Sequence, residues 1–120
     1  MDDKQAAGQH GENVAVKYLE SLGIEVLARN FRNGKHGEVD IIARENGLLL
    51  FIEVKSFKRS GMTRPAEAVT PSKQQKIKDT ANRYLFKNHL RAVPCRFDVI
   101  EVLIESSAMV DINWLKDAFR

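Results

Sequence analysis

The chain has 120 residues, a net charge of +3, 43% hydrophobic and 29% charged residues, which is the balance of a folded globular unit and excludes a disordered chain. That length supplies one core, so residues 1–120 are expected to form a single domain. No apolar run approaches the roughly 20 residues that span a bilayer and no signal-peptide pattern opens the chain, so a cytoplasmic location without membrane contact is expected.

From about Lys4 to Leu22, apolar side chains at Ala7, Val14, Ala15, Tyr18, Leu19 and Leu22 follow a helical period that Gly23 ends. On this helix Glu12 falls inside the apolar arc, flanked by Gly8, Val16 and Leu19, whereas Gln9, His10, Asn13, Lys17 and Glu20 take the outer face. A first strand is expected over Ile24–Arg32. Residues 33–37 (Asn-Gly-Lys-His-Gly) then form the loop into a hairpin.

The hairpin is the most informative stretch. Gly37–Glu45 and Leu48–Lys55 flank Asn46-Gly47, the dipeptide that best tolerates the positive φ angles of a tight two-residue turn. A two-residue loop sets Asp40 opposite Glu53 in a non-hydrogen-bonded pair, and Glu38 opposite Lys55. Facing carboxylates about 5 Å apart at Cβ repel unless a cation lies between them. Alternation puts Glu53 and Lys55 on one strand face with Leu49 and Phe51. Apart from Glu53, the run Leu48–Val54 is apolar on both faces, as in a strand covered on both sides. Burying an unpaired charge there costs several kcal/mol, more than a surface ion pair returns, which favours ligand or catalytic acids over a solvated ladder. A buried structural salt bridge is the competing reading.

From Phe57 to about Thr70 the chain has no sustained period and reads as a basic loop, with a short helical turn at Ala66–Val69. Thr70-Pro71 is an N-cap followed by proline at the first helical position, and Ile77, Ala81, Tyr84 and Leu85 give the buried stripe of a second helix to about Leu90. Residues 57–96 hold ten basic residues against Glu67 and Asp79, a net of +8, while the rest of the chain sums to −5. Such a basic third suits a polyanion docked beside an acidic cluster, and Lys58, Arg59, Arg64, Lys73 and Lys76 are the expected nucleic-acid contacts. Arg96–Ile104 reads as a fourth strand, opened by Cys95, the single cysteine, which leaves no internal disulfide and no cysteine-based zinc site. Ile112–Phe119 is expected to be a short terminal helix packing Trp114, Leu115 and Phe119. The order α-β-β-β-α-β, with a helix joining the third and fourth strands, allows a parallel pair and a mixed central sheet in an α/β sandwich.

Two or three carboxylates converging with a lysine, without histidine or cysteine, favour a hard cation with oxygen ligands, Mg²⁺ or Mn²⁺. Lys55 would orient a water or steady the charge on the phosphorus centre. His10, His36 and His89 are too scattered to suggest zinc.

Asp40 followed by Glu53-Val54-Lys55, a preceding helical Glu12 and this element order resemble the restriction-endonuclease-like nucleases. Within them the chain looks most like the YraN family, small bacterial proteins similar to archaeal Holliday-junction resolvases. The stretches that carry the likeness are Gly11-Glu12, Ala15, Tyr18-Leu19, Asn30-Phe31-Arg32, Gly37–Ala43, Phe51–Lys55, Ala66–Val69 and Arg96–Val99. Val39 stands where the signature often has proline before the aspartate. The resemblance implies Glu12, Asp40 and Glu53 as metal ligands, directly or through water, and Lys55 as the catalytic lysine, with Gln74 or Gln75 as an assisting polar residue. It implies a metal-dependent endonuclease acting on DNA, on branched or damaged substrates, as a monomer or homodimer. A non-catalytic nucleic-acid-binding module of the same fold is the rival reading, and an interaction protein with a structural Asp40, Glu53 and Lys55 network a third.

Overall fold

The computed structural model describes residues 3–58, 69–106 and 109–120. Helix α1 (Asp3–Ser21) precedes strands β1 (Glu25–Asn33), β2 (Gly37–Glu45) and β3 (Leu48–Lys58); helix α2 (Pro71–Lys87) leads to β4 (Cys95–Ser106) and β5 (Met109–Phe119). The five strands form one sheet in sequence order. All neighbours are antiparallel except β3 and β4, which the α2 connection makes parallel. This is the expected α/β sandwich with a mixed sheet, compatible with the restriction-endonuclease-like fold. Among the described residues no helix is long and apolar enough to cross a membrane.

Each sheet face has its own core. Under α1 lie Ala15, Leu19, Ile41, Ala43, Leu50, Ile52, Ile100 and Val102; under α2 lie Ile42, Leu49, Phe51, Ile77, Ala81 and Val99. Successive β3 residues thus feed opposite cores, the pattern expected of a strand covered on both sides. Thr70 caps α2 by accepting from the Lys73 amide at 3.2 Å, with Pro71 at the first turn. The helix ends at Lys87, three residues before the expected Leu90, because the Asn88 side chain and amide both turn back to the Tyr84 carbonyl and His89 adopts a positive φ.

Strand β3 continues past Lys55 to Lys58 because its parallel ladder with β4 runs on to Lys58 and Ile104. The expected terminal helix is instead β5, paired to β4 over most of its length. Trp114, Leu115 and Phe119 fit a helical spacing, yet adjacent Trp114 and Leu115 enter opposite cores, as only an extended chain allows. What secures β5 is Asp98, fully buried on β4. Its carboxylate accepts Arg96 Nε and Nη2 at 2.8 and 2.9 Å, Trp114 Nε1 at 2.9 Å and the Asp117 amide at 2.9 Å. A buried acid so fully satisfied is structural, and removing it strands the donors it serves. Asp98→Ala is expected to cost about 3 to 5 kcal/mol in urea unfolding, whereas Asp117→Asn, whose exposed carboxylate pairs with Arg120, should leave the midpoint unchanged.

Candidate active site

The Asn46-Gly47 turn has φ of 52° and 82°, the doubly positive conformation that the sequence favours there. It fixes the hairpin register from Glu45 opposite Leu48 to Ile41 opposite Ile52. The ladder stops one step short of the acids. Asp40 and Glu53 are therefore not a ladder pair, and Glu38 pairs with Arg32 of β1 at 3.2 Å instead of meeting Lys55. Val39 belongs to the core under α2 and Ile41 to the core under α1, although two residues apart on a regular strand share a face. The strand thus turns over at Asp40. Its Oδ2 takes the Val54 amide at 2.8 Å, a donor that the next rung of the ladder would have used.

The break brings the two acids together. Asp40 and Glu53, 9% and 7% exposed, share a hydrogen bond between their carboxyls. Burial first, and then the Glu53 charge, push the Asp40 carboxyl up to about 8 from an ordinary 3.8; the Val54 amide opposes this and Glu12 adds to it. Glu53 Oε1 meets two ammonium groups, Lys55 Nζ at 3.5 Å and Lys73 Nζ at 3.3 Å. Lys55 is held below the ordinary lysine range, by burial first and then by the adjacent Lys73, against the pull of Glu53. Burial also lowers Lys73, but its contact with Lys55, the more readily deprotonated of the two, and the Glu53 and Asp40 charges bring it out above its ordinary value.

Glu12 reaches the sheet as expected, 8% exposed. The close approach that allows this is written in Gly11: a Cβ there would lie 1.7 Å from Ser56 Oγ, so α1 rests directly on β3. Glu12 Oε1 is bound by β1, however, through Arg29 Nε at 3.1 Å, Arg29 Nη2 at 3.0 Å and Asn30 Nδ2 at 3.0 Å. Asn30 adopts a φ of 52°. Glu12 is thus a neighbour of the acid pair, with one oxygen already committed.

The basic residues divide. Lys58 and Lys76 are exposed, as a nucleic-acid contact requires, and Arg59 and Arg64, like all but the last residue of the turn expected at Ala66–Val69, lie outside the described residues. Lys73 belongs to the acid site. The sequence contained a signal for this: the Thr70-Pro71 cap sets Lys73 in the first turn of α2, on the helix that covers the Glu53 face of β3. Gln74 donates to the Val69 carbonyl and Gln75 to Asp79, so neither bond points to the acids. His36 pairs with Asp79 at 2.9 Å.

Two buried carboxylates in contact, one retaining a proton near neutral pH, fit a site where a cation replaces that proton. Asp40 and Glu53 would hold it, with Glu12 offering its other oxygen or a bridging water. Among the described residues no three His, Cys, Asp or Glu side chains are already grouped to hold a metal ion. The fit rests on the acid pair.

Residues 11–102 match the family described as Uncharacterised protein family UPF0102. The chain belongs to the UPF0102 family. Proteins of that name from Geotalea daltonii and Lachnoclostridium phytofermentans are 42% and 43% identical to it, each over 98% of this chain and over 92% and 95% of their own. One from Rhodococcus opacus is 41% identical over 99% of this chain and its own full length. The UPF0102 match takes in Glu12, Asp40, Glu53, Lys55, Lys73 and Asp98, and ends on β4 before β5 begins.

The acid pair makes stability depend on pH in an unusual direction. Between 3.8 and about 8 the native Asp40 keeps a proton that the unfolded chain has lost, so metal-free stability falls as pH rises through this window and levels off above it. The slope contributed by Asp40 is at most about 1.4 kcal/mol per pH unit. Asp40→Asn should flatten the decline and leave the metal-free protein at least as stable as the parent at pH 8, as read by urea midpoints at stepped pH. A decline equally steep in Asp40→Asn would place its origin elsewhere.

Proposed function

We propose that this chain is a metal-dependent nuclease that cleaves DNA phosphodiester bonds, on branched or damaged DNA in repair or recombination. The observation that carries the reading is the buried Asp40–Glu53 carboxyl pair with Lys55 beside it. Two repelling acids cost stability, and catalysis is the function that such a cost serves best. Mg²⁺ or Mn²⁺, when bound there, supplies the charge that polarises a phosphodiester and lowers the pKa of a bound water. Asp40 and Glu53 orient the site from two strands joined beyond the end of their ladder by the Val54 amide, which donates to the Asp40 side chain. Lys55, 20% exposed at its side chain, presents an ammonium that can steady negative charge growing on the phosphate oxygens. Exposed Lys58 and Lys76 supply sequence-independent phosphate contacts. The chain would work as a monomer or homodimer.

A second reading, a nucleic-acid-binding module without turnover, draws on the two lysines that already neutralise Glu53. Cleavage of a panel of branched, single-stranded and duplex DNAs with Mg²⁺ and with Mn²⁺ separates the two. The nuclease reading expects metal-dependent products from the parent. Lys55→Ala should lose roughly 100-fold or more in single-turnover rate, in the range of other positioned charge-stabilising groups, with DNA affinity within about twofold of the parent. Binding without cleavage of any substrate, in either metal, would favour the binding module.

A further inference from the structure

Lys73 is a surface-type residue in an interior role. Its ammonium and that of Lys55 meet the same oxygen, Glu53 Oε1, at 3.3 and 3.5 Å, and they also contact each other. Two like charges on one carboxylate oxygen are tolerable only while the acid pair has no stronger cation. A carboxylate oxygen binds Mg²⁺ at about 2.1 Å, and it cannot keep both ammonium groups at such a distance from a dication. The two lysines are not equally free to leave. Lys55 stands on the central strand β3 with its side chain 20% exposed, whereas Lys73 stands on the first turn of α2, 39% exposed, at the end of a flexible stem. Its backbone stays in place because the Thr70 side chain accepts its amide.

We infer that Lys73 is the resident counter-ion of Glu53 in the metal-free protein, displaced when a divalent cation binds and thereby released to contact a substrate phosphate. The site then holds an excess of positive charge that only the incoming phosphodiester offsets. Metal loading and DNA binding are linked through this one side chain. The inference rests on the metal-site reading of Asp40 and Glu53 and gives Lys73 a task distinct from that of exposed Lys76.

Two measurements on the full chain test it, each with a readout other than cleavage. Mn²⁺ titration should show Lys73→Gln and Lys73→Met binding roughly three- to tenfold tighter than the parent, the scale on which a part-exposed charge contact acts. Arg83→Gln, which removes an exposed charge from the same helix, should leave the affinity unchanged, and cooperative melting of each variant shows that it is folded. DNA binding across a salt series gives the second readout. Lys73→Gln should leave the salt slope of metal-free binding as in the parent and reduce the slope of Ca²⁺-loaded binding by about one. Mn²⁺ affinity equal to or weaker than the parent's overturns the inference, as does an equal loss of slope with and without Ca²⁺, which would make Lys73 an ordinary phosphate contact. If neither parent nor variants bind Mn²⁺, the metal-site reading itself fails and the inference falls with it.

Discussion

The candidate site follows from two carboxylates forced together where β2 and β3 part. Asp40 and Glu53 are buried in contact, and nothing in an apolar sandwich compensates two such charges. The protein copes in three ways. Asp40 retains a proton well above the ordinary carboxylate range, the Val54 amide is turned to its Oδ2 at the expense of a ladder rung, and Glu53 gathers two ammonium groups. Each is a partial remedy. The cation proposed above would take over the neutralising role of the retained proton and the two lysines, and this connects the local electrostatics with the chemistry proposed.

Asp98 shows what the same residue type does when it serves stability. It is more deeply buried than Asp40, yet Arg96, Trp114 and the Asp117 amide satisfy both its oxygens and tie β5 into the sheet. Burial alone therefore does not separate a structural acid from a candidate ligand. The difference lies in the groups around it: a guanidinium, an indole and an amide for Asp98, against a single amide and another acid for Asp40. Glu12 lies between these cases. Arg29 and Asn30 hold one of its oxygens, so it is both a fastening between α1 and β1 and a charge that raises Asp40 further.

The two helices have separate tasks. Helix α1 rests on β3 through Gly11, where no side chain fits, and this close approach carries Glu12 to the acid pair. Helix α2 covers the other face and is fixed at its start by Thr70, which sets Lys73 over Glu53. The acid pair is thus flanked by a negative charge from one helix and a positive one from the other. The charges on the two sides offset one another without a metal, and the cation proposed above would upset that balance in favour of a polyanion.

Local features decided much of this in advance. The Asn46-Gly47 turn specified the hairpin register, because few other dipeptides accept two positive φ angles; the apolar run of β3 announced a strand covered on both faces; and Thr70-Pro71 marked the start of α2. These signals depend on backbone preferences and on alternation, which act over a few residues. Tertiary structure decided the rest. The ladder's end before Asp40, the bracket of Arg29 and Asn30 on Glu12, and the seat of Lys73 on Glu53 each join residues at least 14 positions apart. The terminal segment departs from the expected helix for the same reason. Its spacing of Trp114, Leu115 and Phe119 suits a helix, and only the buried carboxylate of Asp98, waiting for an indole N–H and a backbone amide, makes it a strand.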